Sequence, residues 1–326
     1  MSALSISQSA PRLGPLRMLA AFLLAAAVLL WPLAFGQPKF LLHIAIMIAI
    51  YGALAMSMNL MLRIGQLSLA HGALFGIGAY ASAILSRDYG WPVELSFVAS
   101  GLIAALVALV TGPVFMRIKG VHFALLTFAL GEVLVLCFVE FSDIFGGNNG
   151  FGQIPAATLG GLLPPTRYGS YLLTASFALA VYFGLGALYR RELGIITESI
   201  HQNEALVTAS GFETLQFRVA VFALSAAIAG WSGSLYAHYQ GYISPDSFGF
   251  WTAVNAIIMN VLGGAATLTG AVIGAVILIP LPELLRDQQQ YQRLIYGLTL
   301  MALLLFMPRG LLGLARQVLS SLRGRS

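Results

Sequence analysis

The sequence predicts an all-α polytopic membrane protein with about ten hydrophobic segments, some of them broken or re-entrant. Two features of composition lead to this fold class: 59% of the 326 residues are hydrophobic and only 9% are charged. A soluble domain needs a larger charged surface than that. Met18–Ala34 and Leu102–Val110 are continuously apolar. Because strands of a membrane barrel alternate apolar and polar residues, helices are expected instead.

A span needs about 20 mostly apolar residues to cross about 30 Å of hydrocarbon. The first such stretch follows Arg12 and Arg17 and resembles a signal peptide. Its length, and the apolar segment that begins at Phe40, favour a retained span instead. The ten candidate spans are 17–36, 41–62, 66–86, 92–116, 121–140, 169–189, 218–240, 245–263, 267–285 and 291–308.

The basic residues predict the orientation. With the amino terminus in the cytoplasm, 12 of the 17 Lys and Arg residues lie inside, as the positive-inside rule requires. The same rule favours two spans divided at Gly263 and Gly264 over one long span with a re-entrant piece. The resulting organisation is a cytoplasmic tail 1–16, a membrane domain 17–308 with a cytoplasmic loop 190–217 and external loops 141–168 and 240–250, and a basic cytoplasmic tail 309–326.

The two external loops contain FGGNNGFGQIP and GYISPDSFGF. Gly supplies positive φ angles, and Asn, Asp and Ser bond to their own backbone, so both segments are expected to be turns. They are either a surface that docks a soluble protein or ordinary connections, and the sequence leaves both interpretations open.

A weak internal repeat links the two halves of the chain. Met58-Asn59 leads to a Gly turn and SLAHGALFG, and Met259-Asn260 leads to a Gly turn and TLTGAVIG. The predicted topology makes the two copies parallel. Small residues four apart let helices approach closely, so helix packing is expected at Gly72, Gly76, Gly270 and Gly274. Gly-interrupted segments at matching positions indicate a substrate path, although the 35 glycines also explain the similarity by composition.

Polar residues within predicted spans are candidates for the translocation path, because they rarely face lipid. Glu132 is either an acid that lines the path or a hydrogen-bonded contact between helices. The others surround the two Gly turns and are expected to bond either a polar solute or one another. The full set is Asn59, Gln66, Ser68, His71, Glu132, Asn255, Asn260 and Thr267.

Other kinds of site are not indicated. No His, Cys, Asp and Glu grouping has the spacing of a metal site, no Ser lies in a nucleophile elbow, and the single Cys137 excludes an internal disulfide. The sequence has no phosphate-binding loop. We therefore expect no enzyme activity, cofactor or nucleic-acid partner in this chain, and ATP hydrolysis, where needed, by another protein.

Arg190–Arg218 is the one long polar stretch between spans. Ser199, with Gln202 three residues later, predicts the start of a short helix that ends at Gly211. A short helix at the membrane surface is suited to insert into a groove of a partner protein. The alternative is a passive loop that contains a capped helix. The candidate contact residues are Arg190, Arg191, Glu192, Ser199, Gln202, Glu204, Ala205 and Gly211.

Segments 65–85, 191–248 and 259–286 closely resemble permeases of the branched-chain amino acid ABC transporter family, specifically its second, M-type permease. The resemblance covers about residues 40 to 312. It implies an importer in the bacterial inner membrane, with a second permease subunit, two ATPase subunits that carry ATP and Mg, and an extracytoplasmic solute-binding protein.

The resemblance also implies that Glu204, Ala205 and Gly211 lie on an ATPase-coupling loop. Leu206 departs from the Glu-Ala-Ala form of many ABC permeases, so the contacts of this loop are expected to differ in detail. The family includes importers of urea, short amides and aromatic acids, which are alternatives to branched-chain amino acids. A self-sufficient secondary transporter is the alternative from another class.

Overall fold

The computed structural model describes residues 38–157, 166–265 and 267–285, with isolated residues within 23–32 and 294–311. In this part the chain is mostly helical. Among the described residues, five helices are long and apolar enough to cross a membrane, or six if a bent pair counts as one crossing. The predicted helical membrane fold is confirmed at this level, whereas the ten segments and the internal repeat are not confirmed.

The helices and strands follow one another in chain order. They are α1 (Lys39–Arg63), α2 (His71–Arg87), α3 (Val93–Phe115), α4 (Val121–Glu140), α5 (Ser142–Phe145), a 3₁₀ turn (Gly147–Asn149), β1 (Phe151–Gly152), α6 (Arg167–Tyr189), α7 (Glu192–Ala209), α8 (Thr214–Gln240), β2 (Tyr242–Ile243), a 3₁₀ turn (Pro245–Phe248), α9 (Phe250–Gly263), α10 (Leu268–Leu278) and α11 (Pro280–Leu284). The tails 1–16 and 309–326 and the predicted spans 17–36 and 291–308 lie wholly or largely outside the described residues.

Helix α8 forms the centre of the bundle. It packs against α1, α2 and α3, and 78% of its most apolar stretch is buried. Glycines permit the close approach: a β-carbon on Gly78 of α2 would collide with the backbone of Gly230, and one on Gly233 would collide with the carbonyl oxygen of Phe75. Packing between small residues stabilises helix pairs in lipid, where hydrophobicity does not.

The two predicted external loops join each other. Phe151 pairs with Ile243 and Gly152 pairs with Tyr242 in a two-stranded antiparallel sheet. The following 3₁₀ turn enters the bundle, because Phe248 is fully buried with its ring 5.6 Å from those of Phe75 and Tyr80. Loop 240–250 therefore closes the bundle at this end.

The region 245–285 is a broken segment. Pro245–Gly263 and Leu268–Leu284 meet at a bend of 113°. At 1.5 Å per residue, the 14 residues of α9 and the 11 of α10 measure about 21 and 16 Å, less than the roughly 30 Å of a bilayer core. The prediction of two complete spans at 245–263 and 267–285 is corrected accordingly. The break arises because Gly264 adopts φ +116° and Thr267 caps α10.

Candidate functional site

Helix α7 lies between the membrane helices α6 and α8 and consists of two pieces. Its backbone is interrupted at Asn203, whose φ of −157° and ψ of 88° are not helical. The Oδ1 atom of Asn203 accepts a hydrogen bond of 3.1 Å from the backbone N–H of Leu206. Asn203 therefore caps a second piece, 204–209, as Asn side chains often do at helix starts.

The predicted helix start at Ser199 is wrong. The first residue of α7 is Glu192 and its N-cap is Arg191, so Ser199 lies inside the helix. Gln202 donates a hydrogen bond of 3.3 Å to the Oε1 atom of Glu198 and closes no capping box. The capping-box pattern failed because the residue that caps a helix here is Asn203, four residues after Ser199. The third residue after Asn203 is Leu206, not the Glu or Gln that the pattern requires.

Glu204 begins the second piece and points toward the membrane domain. Its Oε2 atom lies 2.7 Å from the ammonium of Lys119, and its Oε1 atom accepts a hydrogen bond of 3.1 Å from Arg218. Thr214 donates a further bond of 3.2 Å to Oε1. Three parts of the chain therefore meet at one carboxylate: the α3–α4 loop, α7 and α8.

The electrostatics of this cluster favour the charged form of Glu204. Partial burial raises the pKa of its carboxyl, but the bonds and charges of Lys119 and Arg218 outweigh burial and leave the pKa below its ordinary value. Arg218 needs the carboxylate, since its side chain is only 2% exposed and a buried guanidinium is costly unless paired. We call Glu204, Arg218 and Lys119 the anchor cluster.

The end of α7 beyond the anchor cluster is exposed. Ala205, Ser210 and Gly211 are exposed, and Leu206 is 69% exposed. Gly211 adopts φ +86° and follows the last helical turn, so it ends the helix where the sequence predicts. Arg190 and Arg191 are exposed before α7, and nothing is described for the side chain of Glu192. The segment 205–211 is termed the α7 tip.

Helix α7 also contacts the end of α1. A β-carbon on Gly65, which follows α1 with φ +72°, would lie 2.8 Å from the Nδ1 atom of His201. The last residue of α6, Tyr189, has the guanidinium of Arg63 3.9 Å from its ring centroid. The hydroxyl of Tyr189 donates a hydrogen bond of 3.4 Å to the Oδ1 atom of Asn59. The start of α7 is therefore connected to the polar residues of α1.

The two asparagines of the predicted repeat bond to each other. Asn59 donates to the Oδ1 atom of Asn260 at 3.0 Å and to the carbonyl of Ala265 at 2.9 Å. Asn260 donates to the carbonyls of Ala55 and Ala256 at 2.8 and 2.9 Å. Both side chains are fully buried. The sequence left open whether these side chains bond a polar solute or each other, and in the structure they bond each other. Their bonds hold the break between α9 and α10 against α1.

The remaining polar candidates occupy separate positions. The Nε2 atom of His71 lies 2.7 Å from Ser225 Oγ, which donates to the carbonyl of Ser57. Gln66 and Ser68 are buried, and Gln66 Oε1 and Ser68 Oγ have no hydrogen-bond partner among the described residues. Thr267 accepts a bond of 3.1 Å from the N–H of Gly270 and so caps α10.

Asn255 lies apart from the asparagine pair, in a cleft of about 210 Å³ between α1, α9 and α10. Glu283 borders this cleft and also a second one of about 360 Å³ that contains Lys39, His43 and Arg167. The first cleft is lined by Met47, Tyr51, Thr252, Asn255, Met259, Leu278, Ile279, Pro282 and Glu283.

Three of the four packing glycines lie at close contacts between backbones, whereas Gly76 lies against the side chains of Phe248 and Phe138. A β-carbon on Gly72 would meet the carbonyl oxygens of Gly249 and Phe248, and one on Gly76 would lie 2.7 Å from Phe248. In the other half of the chain, a β-carbon on Gly270 would collide with the carbonyl oxygen of Gly264. One on Gly274 would collide with the carbonyl oxygen of Met259. The first pair therefore lets α2 pack closely against the turn before α9, and the second lets α9 and α10 pack closely against each other.

Comparison with known proteins shows which family the chain belongs to. Residues 40–307 match the family model described as a branched-chain amino acid transport system permease component. The chain belongs to this family. The permease is similar to the high-affinity branched-chain amino acid transport system permease proteins LivM of Escherichia coli (30% identity; 93% of this chain and 77% of the relative) and Salmonella typhimurium (29%; 94% and 77%).

The similarity extends to the other permease type. The permease protein LivH of Salmonella typhimurium is 24% identical over 77% of this chain and 86% of its own length. No solved structure matches the permease. In the part of the chain that the structure describes, no group of three or more His, Cys, Asp or Glu residues is arranged to hold a metal ion.

The permease contains functional candidates that the sequence did not reveal. Asn203, Arg218, Lys119 and Tyr189 each make a contact that depends on the fold. The cap at Asn203 had a local signal, because Asn favours helix starts. The pairs of Glu204 with Arg218 and Lys119 had none, since the partners lie 14 and 85 residues away and only the packing of α7 brings them together.

Proposed function

We propose that the permease is one of two membrane subunits of an ATP-driven importer of branched-chain or related aliphatic amino acids in the bacterial inner membrane, with both termini in the cytoplasm. Two ATPase subunits hydrolyse ATP, and an extracytoplasmic binding protein delivers the solute. The family and the LivM and LivH relatives support this assignment.

The observation that carries the coupling proposal is the contrast within α7. Its tip is exposed around Leu206, while its root is held by the buried Arg218 at the start of the central helix. A force applied to the tip is therefore transmitted to α8. Leu206 is suited to fill an apolar groove on an ATPase, because its exposed apolar side chain would be removed from water there.

A second connection runs from α7 to the broken segment. His201 rests on Gly65, and Tyr189 links the α6–α7 junction to Asn59 and through it to Asn260. A short broken segment near the middle of a membrane protein is a common place for a solute path. In this mechanism, closure of the ATPases displaces α7, shifts the asparagine pair and changes the bend between α9 and α10.

The function is tested in proteoliposomes that contain the permease, the second permease, the ATPases and the binding protein. We expect leucine uptake that requires ATP and every component. Uptake without ATP, or by this chain alone along an ion gradient, would contradict the proposal in favour of a secondary transporter. Uptake of urea, a short amide or an aromatic acid in place of leucine would reassign the solute and retain the mechanism.

The docking role of the α7 tip is tested with Leu206→Glu. A charge at this position should reduce co-purification of the ATPases with the permease. Gln216→Glu introduces the same charge at an exposed position in the first turn of α8 and should leave co-purification unchanged. Equal effects of the two variants, or none, would exclude Leu206 as the contact.

A further inference from the structure

Helix α4 has the smallest packed surface of the five candidate spans, since 22% of its most apolar stretch is buried. Its inner face is formed by Phe123, Thr127, Gly131 and Phe138, which are buried. The ring of Phe138 lies 4.5 Å from that of Tyr80 on α2. The rest of the helix faces away from the described bundle.

The outer face of α4 includes a carboxylic acid. Leu125 is 60% exposed, Phe128 36% and Leu136 55%. Glu132 lies seven residues after Leu125, four after Phe128 and four before Leu136. Helical periodicity therefore places it on the same face. It is half-buried, and its side chain has no hydrogen bond or ion pair among the described residues.

Glu132 lies about half way along α4, where lipid is not a suitable neighbour for a carboxylate. It is eleven residues from the start of α4, which at 1.5 Å per residue is about 17 Å along a helix of about 30 Å. A carboxylate at the middle of a span is among the most costly side chains to expose to hydrocarbon, and such residues almost always face protein or a water-filled cavity.

Two other spans provide the comparison. Helices α3 and α6 are also largely unpacked, with 28% of the most apolar stretch of each buried. The acid of α3, Glu94, lies in its first turn, and the basic residue of α6, Arg167, is its first residue. Neither helix has an Asp, Glu, Lys, Arg or His near its middle. Lipid therefore suits the exposed faces of α3 and α6 but not that of α4.

Aromatic side chains extend the outer face of α4. The rings of Phe128 and Phe250 are 5.3 Å apart, and the neighbouring Trp251 is 74% exposed. Large aromatic residues with a few polar groups among them are typical of the centres of protein interfaces.

We propose that the outer face of α4, formed by Leu125, Phe128, Glu132 and Leu136 with Trp251, is the surface on which the second permease subunit packs. The carboxylate of Glu132 receives hydrogen bonds from that subunit or from water in the seam between the two. The inference rests on the proposed two-permease importer and identifies the side of this chain that meets the partner.

The test uses p-benzoyl-phenylalanine, a photo-crosslinking amino acid, at one position at a time in the full complex in native membranes. Phe128 and Leu136 are the test positions. The matched control is Leu106, which is 59% exposed on α3. We expect illumination to join the permease to the second permease from positions 128 and 136 and not from 106.

Each other outcome would overturn the proposal. These outcomes are products with lipid only, with another segment of the same chain or with a different protein, and equal products from position 106. Crosslinking requires assembly but not solute or ATP. If the complexes form these crosslinks but the wild-type complex imports no leucine, the proposed solute is therefore refuted and the interface is not.

The acid itself is tested separately. Glu132→Leu should reduce co-purification of the second permease at least several-fold, and Glu132→Gln, which still forms hydrogen bonds, should restore most of it. Full co-purification with Glu132→Leu would show that the carboxyl has no part in the interface. Leu106→Glu on α3 should impair insertion instead, which is measured as the amount of permease in the membrane.

Discussion

At the scale of single residues, Glu204 is the most informative side chain of α7. The resemblance places it on a loop that contacts the ATPases, whereas the structure turns it toward Arg218 and Lys119. In the proposed mechanism, Glu204 therefore transmits force within the subunit, and its neighbours in the α7 tip make the outward contact.

Replacing the carboxylate tests this role. Glu204→Gln should destabilise the permease by about 1–3 kcal/mol, because the buried guanidinium of Arg218 loses its charged partner. It should also lower the leucine imported per ATP hydrolysed. Glu198→Gln removes the same charge from an exposed position on α7 and should change neither. Thermal unfolding of the purified complex and paired uptake and hydrolysis assays measure both effects.

The same carboxylate predicts a dependence on pH. Because the folded pKa of Glu204 lies below the ordinary value of 4.5, its stabilising contribution is complete above pH 4.5 and is lost as the pH falls through the lowered pKa. The difference in melting temperature between wild type and Glu204→Gln should therefore be largest near pH 7 and shrink below pH 4.5. A difference that grows on acidification would contradict the ion pair.

At the scale of elements, the interruption of α7 determines the direction of its tip. Asn203→Ala should remove the cap, at about 0.5–2 kcal/mol, and favour a continuous helix that rotates Glu204 away from Arg218. We expect less uptake per ATP hydrolysed. Asn203→Ser keeps a capping oxygen and should behave as wild type. If alanine and serine give the same ratio, the cap has no part in coupling.

The broken segment depends on contact between α9 and α10. Gly274→Ala should destabilise the permease by about 1–3 kcal/mol, since its methyl group would collide with the carbonyl of Met259 and force the helices apart. Gly186→Ala on α6 meets no atom within 4 Å and should be neutral or stabilising, because Ala favours helix. Thermal unfolding of the two variants under the same conditions provides the comparison.

The pattern of apolar residues along the chain was sufficient to predict some of the helices and not others. The predicted spans 41–62, 92–116 and 121–140 agree closely with α1, α3 and α4, because each is a continuous apolar run between polar ends. The pattern failed at 245–285, where two apolar runs look like two spans but Gly264 and Thr267 set a sharp bend. It also could not pair Glu204 with Arg218, because that contact depends on how α7 folds back.

At the scale of the whole molecule, positive charge is concentrated at one end. Arg63, Arg117, Lys119, Arg190, Arg191 and Arg218 lie at the α7 end among the described residues, and Lys39, Arg87 and Arg167 lie at the other. From the positive-inside rule we expect the α7 end to face the cytoplasm.

Labelling of intact cells tests this orientation. In a Cys137→Ala background, an impermeant thiol reagent should label Asp88→Cys at the end of α2 and should not label Ser210→Cys at the end of α7. Both positions are exposed. The reverse pattern would invert the topology and place the α7 tip out of reach of cytoplasmic ATPases. Disrupted cells, in which both positions should react, control for reactivity.

The central position of α8 has a consequence for biogenesis. Helices α2 and α3 precede α8 in the chain, but α8, the helix that each packs against most closely, begins only at Thr214. Helix α1 packs mainly against α6 and α8, which also come later in the chain. Their contacts are of long sequence separation, as is the pairing of Phe151 with Ile243, and such contacts form slowly. During synthesis we therefore expect α1, α2 and α3 to associate only loosely with one another until α8 has been made and the bundle can close around it.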